Sequence, residues 1–64
     1  MIVNGKVYSF EGNITVSDLL KKLNLNSDLV VIEVNLNIVY KENFSDKVLN
    51  DSDRIEIISF VGGG

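Results

Sequence analysis

The chain has 64 residues, 45% of them hydrophobic, with a formal net charge of −3 at pH 7 and neither cysteine nor histidine. This composition excludes disulfides, a thiol nucleophile and a Cys/His zinc site, and it removes the commonest acid–base side chain near neutral pH. The acidic balance disfavours nucleic-acid and anionic-membrane partners. The first residues also have no basic segment followed by a long apolar run, so we expect a cytoplasmic protein.

The first predicted element is a β-hairpin. Asn4-Gly5 favours a two-residue type I′ turn, which needs positive φ at both positions. Such a turn pairs Ile2 with Val7 and places both on one face, which we expect to point outward. The opposite face is more apolar and is predicted to meet the core; it carries Met1, Val3, Tyr8 and Phe10.

The stretch ITVSDLLKKLNL predicts one amphipathic helix. Thr15 and Asp18 have the spacing of a capping box, and the segment from Asn24 to Asn26 is expected to end the helix. The apolar stripe consists of Val16, Leu19, Leu20 and Leu23. A single helix of this kind has to cover one face of a sheet.

Strand patterns follow the helix. In LVVIEVN, Glu33 sets the register, so Val31 and Glu33 are predicted to face outward and the alternate residues inward. A short strand is predicted at residues 38–40, followed by a polar turn or short helical segment that Phe44 anchors. We interpret Tyr8, Tyr40 and Phe44 as core or rim aromatics.

The last strand is predicted in RIEIISF, after a turn at residues 50–53. Ile55 and Ile57 face inward in this register, whereas Ile58 and Phe60 face outward. The alternative for Phe60 is that it folds over an edge of the core.

The element order is β-β-α-β-(β)-β, which predicts an α+β fold with two layers. We expect a β-grasp (ubiquitin-like) domain over residues 1–61, with a mixed sheet of four to five strands packed on one helix. Residues 62–64 are expected to form a flexible glycine tail.

Several of these features together resemble one family. VNG in the hairpin, TVSDLLKKL in the helix, the aromatic Phe44 and the ending VLNDSDRIEIISFVGGG are similar, from end to end, to the sulfur carrier proteins of thiamine biosynthesis, the ThiS family. Three positions depart from the family pattern, one of which is Phe44, where members often carry tryptophan. Leu36 stands where members commonly carry a small or charged residue, and Ser52 stands where glycine is common.

The resemblance implies a function for the glycine tail. A ubiquitin-activating-type adenylyltransferase would use ATP to adenylate Gly64, and a persulfide-derived sulfur would then leave a thiocarboxylate there. That sulfur would pass to thiazole synthase. The chain would therefore be a carrier acted on by enzymes, with no bound cofactor. Gly62 and Gly63 lack a Cβ, which would let the tail enter narrow sites.

A docking surface is predicted beside the tail. If the first and last strands are neighbours, Ile58 and Phe60 share an outward face with Ile2 and Val7, and an apolar patch of this kind suggests partner binding. Val61 is included in this predicted surface because it joins the strand to the tail.

Two alternatives stay open. The chain is either a sulfur carrier for another pathway (the small subunit of molybdopterin synthase, or a carrier for tRNA or cysteine sulfur) or a ubiquitin-like binding module with an inert tail. An enzyme in its own right is disfavoured, because the sequence shows no nucleophile–base pair or metal-ligand cluster.

Overall fold

The computed structural model describes residues 1–60 of the chain. These residues form a five-stranded sheet, a second sheet of two short strands, and one α-helix. The strands are β1 (Ile2–Val3), β2 (Lys6–Val7), β3 (Ile14–Thr15), β4 (Val30–Val34), β5 (Asn37–Val39), β6 (Val48–Leu49) and β7 (Arg54–Ser59); the helix α1 spans Val16–Lys22, and 3-10 turns span Ser27–Leu29 and Lys41–Asn43. No helix in this part of the chain is long and apolar enough to cross a membrane.

The large sheet has the strand order β2-β1-β7-β4-β5. β1 runs parallel to β7, and the other neighbouring pairs are antiparallel, so the sheet is mixed. The first strand and the last strand of the chain are therefore neighbours near the middle of the sheet. This arrangement is a β-grasp, and it confirms the predicted α+β fold class with one helix packed on a mixed sheet.

The first hairpin has the predicted turn and register. Asn4 and Gly5 have φ values of 50° and 80°, the left-handed region that a type I′ turn requires. Ile2 pairs with Val7, and the next pair belongs to the same antiparallel ladder. Val3 is consequently buried and Val7 is exposed, as the period-2 pattern predicted.

Local side-chain chemistry sets both ends of α1. The Asp18 N–H donates to the Thr15 hydroxyl, and the Thr15 N–H donates to the Asp18 carboxylate, which completes the predicted capping box. The hydrogen bond from the Thr15 backbone N–H to the carboxylate is the main cause that lowers the pKa of Asp18, and the Thr15 side chain lowers it further. After the helix, Asn24 has a φ of 58°, and the Leu25 N–H donates to the Leu20 carbonyl at 2.8 Å. This is a Schellman motif with asparagine in place of glycine.

The core lies between α1 and one face of the sheet. Leu19 and Leu20 of the helix join Ile32 of β4 and Ile55 of β7 in one buried cluster. Burying a side chain of this size contributes roughly 1.5–3 kcal/mol. Phe44 is also buried in this cluster, which confirms that it anchors the segment after the turn Lys41–Asn43.

Three details differ from the sequence-based expectations. β5 spans residues 37–39, one residue earlier than the predicted residues 38–40. The strand ends at Val39 because the Tyr40 carbonyl already accepts the Asn43 N–H of the following 3-10 turn. Tyr40 is 64% exposed, so its interpretation as a core or rim aromatic is wrong. The pairing of β3 with β6 was not predicted, since strands of two residues are too short to show a period. The predicted domain boundary after residue 61 lies outside the described residues.

Candidate functional site

The predicted modified residue, Gly64, and the tail residues Gly62 and Gly63 lie outside the described residues, as does Val61. The structure does define the strand from which the tail leaves. β7 runs between β1 and β4, and it places Phe60 one residue beyond its own end. The structure therefore defines the root of the tail, residues 57–60, and the sheet face that surrounds this root.

Hydrogen bonds on both sides hold the end of β7. On the β4 side, Ile58 pairs with Val31, and the Phe60 N–H donates to the Leu29 carbonyl at 2.9 Å. On the β1 side, the Asn4 side-chain oxygen accepts the Ile57 N–H at 2.7 Å, and the Asn4 amide donates to the Ile57 carbonyl at 3.2 Å. The chain is thus tied to the sheet up to Phe60.

The sheet has an outer face, turned away from α1, on which large apolar side chains are exposed. Ile58 is 52% exposed and Phe60 is 67% exposed, as their outward register predicted. Phe60 does not fold over the core, so the alternative placement of this side chain is wrong. We use the name tail-side patch for the exposed apolar side chains on this face near the end of β7: Ile38, Tyr40, Ile58 and Phe60.

Sequence reasoning missed Ile38 and Tyr40 as members of this patch. Ile38 pairs with Glu33, which faces outward, and Tyr40 lies two residues further along on the same side. A usable signal was present in the sequence. A two-residue turn at residues 35–36 places Ile38 opposite Glu33. Because Glu33 faces outward, Ile38 on β5 is then expected to face outward as well.

Ile2 and Val7 lie on the outer face, as predicted, but at the opposite end from the tail. Ile2 is in register with Arg54, which is four residues before Ile58. At about 3.3 Å per residue, the two apolar groups are separated by about 13 Å along β7. The outer face therefore carries two apolar groups, and only the tail-side patch adjoins the root of the tail.

Charge on the outer face is predominantly negative between these two groups. Glu33 and Glu56 are directly opposite on β4 and β7, and Arg54 is the cation of the same face of β7. Among residues 1–60, the ion pair joins Lys41 and Asp28 and involves neither Glu33 nor Glu56. A surface that pairs apolar groups with acids suits a partner with basic residues among apolar ones.

Two further features of the described residues bear on chemistry at the body of the domain: metal-ligating clusters and surface depressions. No group of three or more metal-ligating side chains occurs within residues 1–60. A surface groove of about 400 Å³ lies between β5 and residues 43–47, and a smaller depression of about 180 Å³ lies beside Leu25, Leu29 and Ser59. Neither depression brings together an activated nucleophile and a base.

Comparisons with known proteins point to one family. A sequence model of the ThiS family matches residues 1–64. The sulfur carrier protein ThiS of Bacillus subtilis is 40% identical over 63 residues, which cover 97% of this chain and 96% of that protein. A crystal structure of the thiamine biosynthesis protein ThiS from Geobacter metallireducens superposes with a TM-score of 0.82 at 32% identity, covering 98% of this chain and 96% of the other.

A longer protein also contains a similar segment. A thiazole synthase of Paramagnetospirillum magneticum is 39% identical over 64 residues, which are 100% of this chain but 20% of that protein. This relative therefore has most of its length outside the similarity. Because the family model and the Bacillus subtilis relative both match nearly the whole chain, the protein belongs to the ThiS family of sulfur carrier proteins.

Proposed function

We propose that this protein carries sulfur as a thiocarboxylate on Gly64 and delivers it to thiazole synthase for thiamine biosynthesis. The family match carries this proposal, because it extends through residue 64 and so includes the glycines at 62–64. The three glycines at 62–64 have no side chains to obstruct entry into a partner's active site.

The proposed chemistry takes place on the main chain. The carboxyl group at a chain terminus has an ordinary pKa of roughly 3.3–3.7, so it is ionised at neutral pH. The resulting carboxylate is a poor electrophile. An adenylyltransferase of the ubiquitin-activating type transfers AMP from ATP to the Gly64 carboxylate and releases pyrophosphate. The terminal sulfur of a persulfide then attacks the adenylate and displaces AMP, which gives an acyl disulfide. A thiol cleaves the S–S bond of this acyl disulfide, which releases the Gly64 thiocarboxylate and leaves a disulfide behind. The partner binds the ATP, so the carrier needs no cofactor of its own.

The proposed recipient is thiazole synthase. The thiazole synthase of Paramagnetospirillum magneticum contains a segment similar to the whole of this chain, which supports a working relationship between the two proteins. In the proposed cycle, one carrier meets two enzymes in turn, so it must present the same tail to both.

We further propose that the tail-side patch is the surface on which these enzymes hold the carrier. Ile58 and Phe60 lie at the root of the tail, and Ile38 and Tyr40 extend the apolar surface across the sheet. Leaving several large apolar side chains exposed on one face needs a reason, since burial of each is worth roughly 1.5–3 kcal/mol. The burial of these side chains against each of the two enzymes in turn supplies that reason. Ile2 and Val7 then form the outlying part of the predicted surface.

The test is the intact mass of the protein after incubation with ATP, sulfide and the adenylating enzyme of the same organism. We expect a mass gain equal to the exchange of one oxygen for sulfur, and we expect none in a variant that lacks Gly64. The product should then support thiazole formation by thiazole synthase. A protein that binds the enzyme without any gain in mass would be a binding module, and a thiocarboxylate that thiazole synthase rejects would indicate a carrier for another pathway.

A further inference from the structure

The Asn4 side chain makes the kind of hydrogen bonds to β7 that one further residue of β1 would make. β1 ends at Val3, which is in register with Ile55, whereas β7 continues to Ser59. The Asn4 N–H still donates to the Ile55 carbonyl at 2.9 Å. Beyond this point, the Asn4 side chain replaces the missing strand. Its oxygen accepts the Ile57 N–H at 2.7 Å, and its amide donates to the Ile57 carbonyl at 3.2 Å.

A carboxamide can take this role because it carries the same donor and acceptor as a peptide group. The left-handed turn directs the side chain toward β7, since Asn4 has a φ of 50°. Ile57 lies seven residues before Gly64. The bonds from Asn4 therefore attach the root of the tail to the β1 side of the sheet.

We propose that Asn4 is a positioning residue for the carrier terminus. By holding Ile57, it keeps residues 57–60 in the sheet, so the tail starts from a fixed point relative to the tail-side patch. When an enzyme binds this patch, Gly64 is then close enough to reach the active site of that enzyme. This role rests on the proposed function and adds to it a residue that does not touch the reacting atoms.

Asn35 provides a matched control at the other end of β7. It also lies in a hairpin turn, with a φ of 51°, and its side-chain oxygen accepts the Arg54 N–H at 3.0 Å. Its amide donates to the Asp53 carboxylate at 2.9 Å. Asn35 thus holds the start of β7, whereas Asn4 holds the end. Replacing either residue by glycine keeps the positive φ and removes two side-chain hydrogen bonds.

The first measurement is amide hydrogen exchange in the free protein. The informative amide is that of Phe60, because it bonds to Leu29 and not to Asn4. In Asn4→Gly we expect exchange at Phe60 to be about tenfold faster than in Asn35→Gly, since two hydrogen bonds that hold the strand end are lost and tenfold corresponds to about 1.4 kcal/mol. Equal exchange at Phe60 in the two variants would overturn the proposal.

The second measurement is thiocarboxylate formation by the adenylating enzyme, with each variant kept under conditions where it is fully folded. We expect Asn4→Gly to lose about tenfold or more in kcat/KM, because Ile58 and Phe60 of the patch and the start of the tail are no longer held in one position. Asn4→Asp retains the acceptor for the Ile57 N–H and should be intermediate. Asn35→Gly should react at the normal rate. If the two glycine variants lose the same activity, Asn4 is merely structural. If the wild-type protein gains no sulfur, the proposed function fails, and exchange at Phe60 still decides whether Asn4 holds the strand end.

Discussion

Glu33 and Glu56 stand directly opposite each other on β4 and β7, both on the outer face of the sheet. Like charges in this position destabilise a sheet, because the Cβ atoms of cross-strand partners are about 4.5–5.5 Å apart. The arrangement costs stability in the free protein, and it leaves two carboxylates beside the tail-side patch.

Removing one of these charges should stabilise the protein. We expect Glu33→Gln to raise the free energy of unfolding by roughly 0.2–1 kcal/mol at low salt, with a smaller gain at high salt because screening already weakens the repulsion. Urea denaturation at two ionic strengths measures both effects. Glu11→Gln removes the same charge away from the sheet and should give no comparable gain. A Glu33→Gln variant that is no more stable than the wild type would show that the two carboxylates do not repel appreciably.

Phe60→Asp tests the docking role of the tail-side patch. Because Phe60 is 67% exposed, the substitution should change the free energy of unfolding by less than about 0.5 kcal/mol. Affinity for the adenylating enzyme and for thiazole synthase should fall by roughly thirtyfold, as expected when an apolar anchor of an interface is lost. Calorimetric titration with each enzyme, alongside denaturation, separates the two effects.

Val7→Asp is the matched control for this substitution. Val7 is 76% exposed on the same face, but it lies at the far end from the tail. We expect its replacement to weaken binding much less than Phe60→Asp. Equal losses would extend the docking surface over the whole outer face, and no loss in either variant would remove the face from the interaction.

The glycine tail should matter for reaction and not for stability. Among residues 1–60, the buried cluster and the side chains packed against it lie between Met1 and Ile57. Because a glycine has no side chain to bury, we expect Gly63→Val to leave the thermal unfolding midpoint nearly unchanged. Thiocarboxylate formation, followed by intact mass, should fall sharply because a β-branched residue restricts both the width and the backbone angles of the tail. A Gly63→Val variant that acquires sulfur at the normal rate would rule out a narrow channel in the partner. Gly63→Ala, with a single added carbon, should lie between the two.

The capping box of α1 should make stability depend on pH in the acid range. The pKa of Asp18 is lowered from its ordinary value of 3.8 in the folded protein, so the contribution of its carboxylate is complete above that value. It is lost as the pH falls through the lower folded pKa. Asp18→Asn should therefore be less stable than the wild type near neutral pH, and the difference should shrink in strong acid. Denaturation curves from pH 7 to about pH 2 follow this change. A difference that stays constant over the range would mean that ionisation of Asp18 does not contribute.

Leu36 should be replaceable with a gain in stability. It has a φ of 72° in the β4–β5 turn and is 84% exposed. Removing the side chain therefore costs little buried apolar area, whereas its Cβ makes the left-handed backbone conformation unfavourable. We expect Leu36→Gly to raise the free energy of unfolding by roughly 0.5–1 kcal/mol, the cost of the left-handed conformation less the entropy that glycine adds to the unfolded chain. Leu36→Ala keeps the Cβ and should show no such gain. Equal effects of the two substitutions would assign the change to loss of the leucine side chain.

Local patterns in the sequence determined the elements and their inward and outward faces. Asn4-Gly5 specifies its turn because few residues accept positive φ, and Thr15 with Asp18 specifies a helix start because the two side chains satisfy each other's backbone N–H groups. Glu33 and Phe60 were placed outward by a period of two alone. The family resemblance, and with it the expected role of Gly64, was also readable from the order of residues.

Only the tertiary structure decided which of these residues become neighbours. Asn4 and Ile57 are 53 positions apart, and the Asn4 side chain bonds to the Ile57 backbone because β1 ends at Val3, one residue before Asn4. Tyr40 joined the tail-side patch, whereas Ile2 was placed at the far end of the same face, because strand register and strand length set distances along a sheet. Turn and cap preferences act within a few residues of the chain, but the pairing of distant strands depends on burial of the whole core, which no short segment encodes.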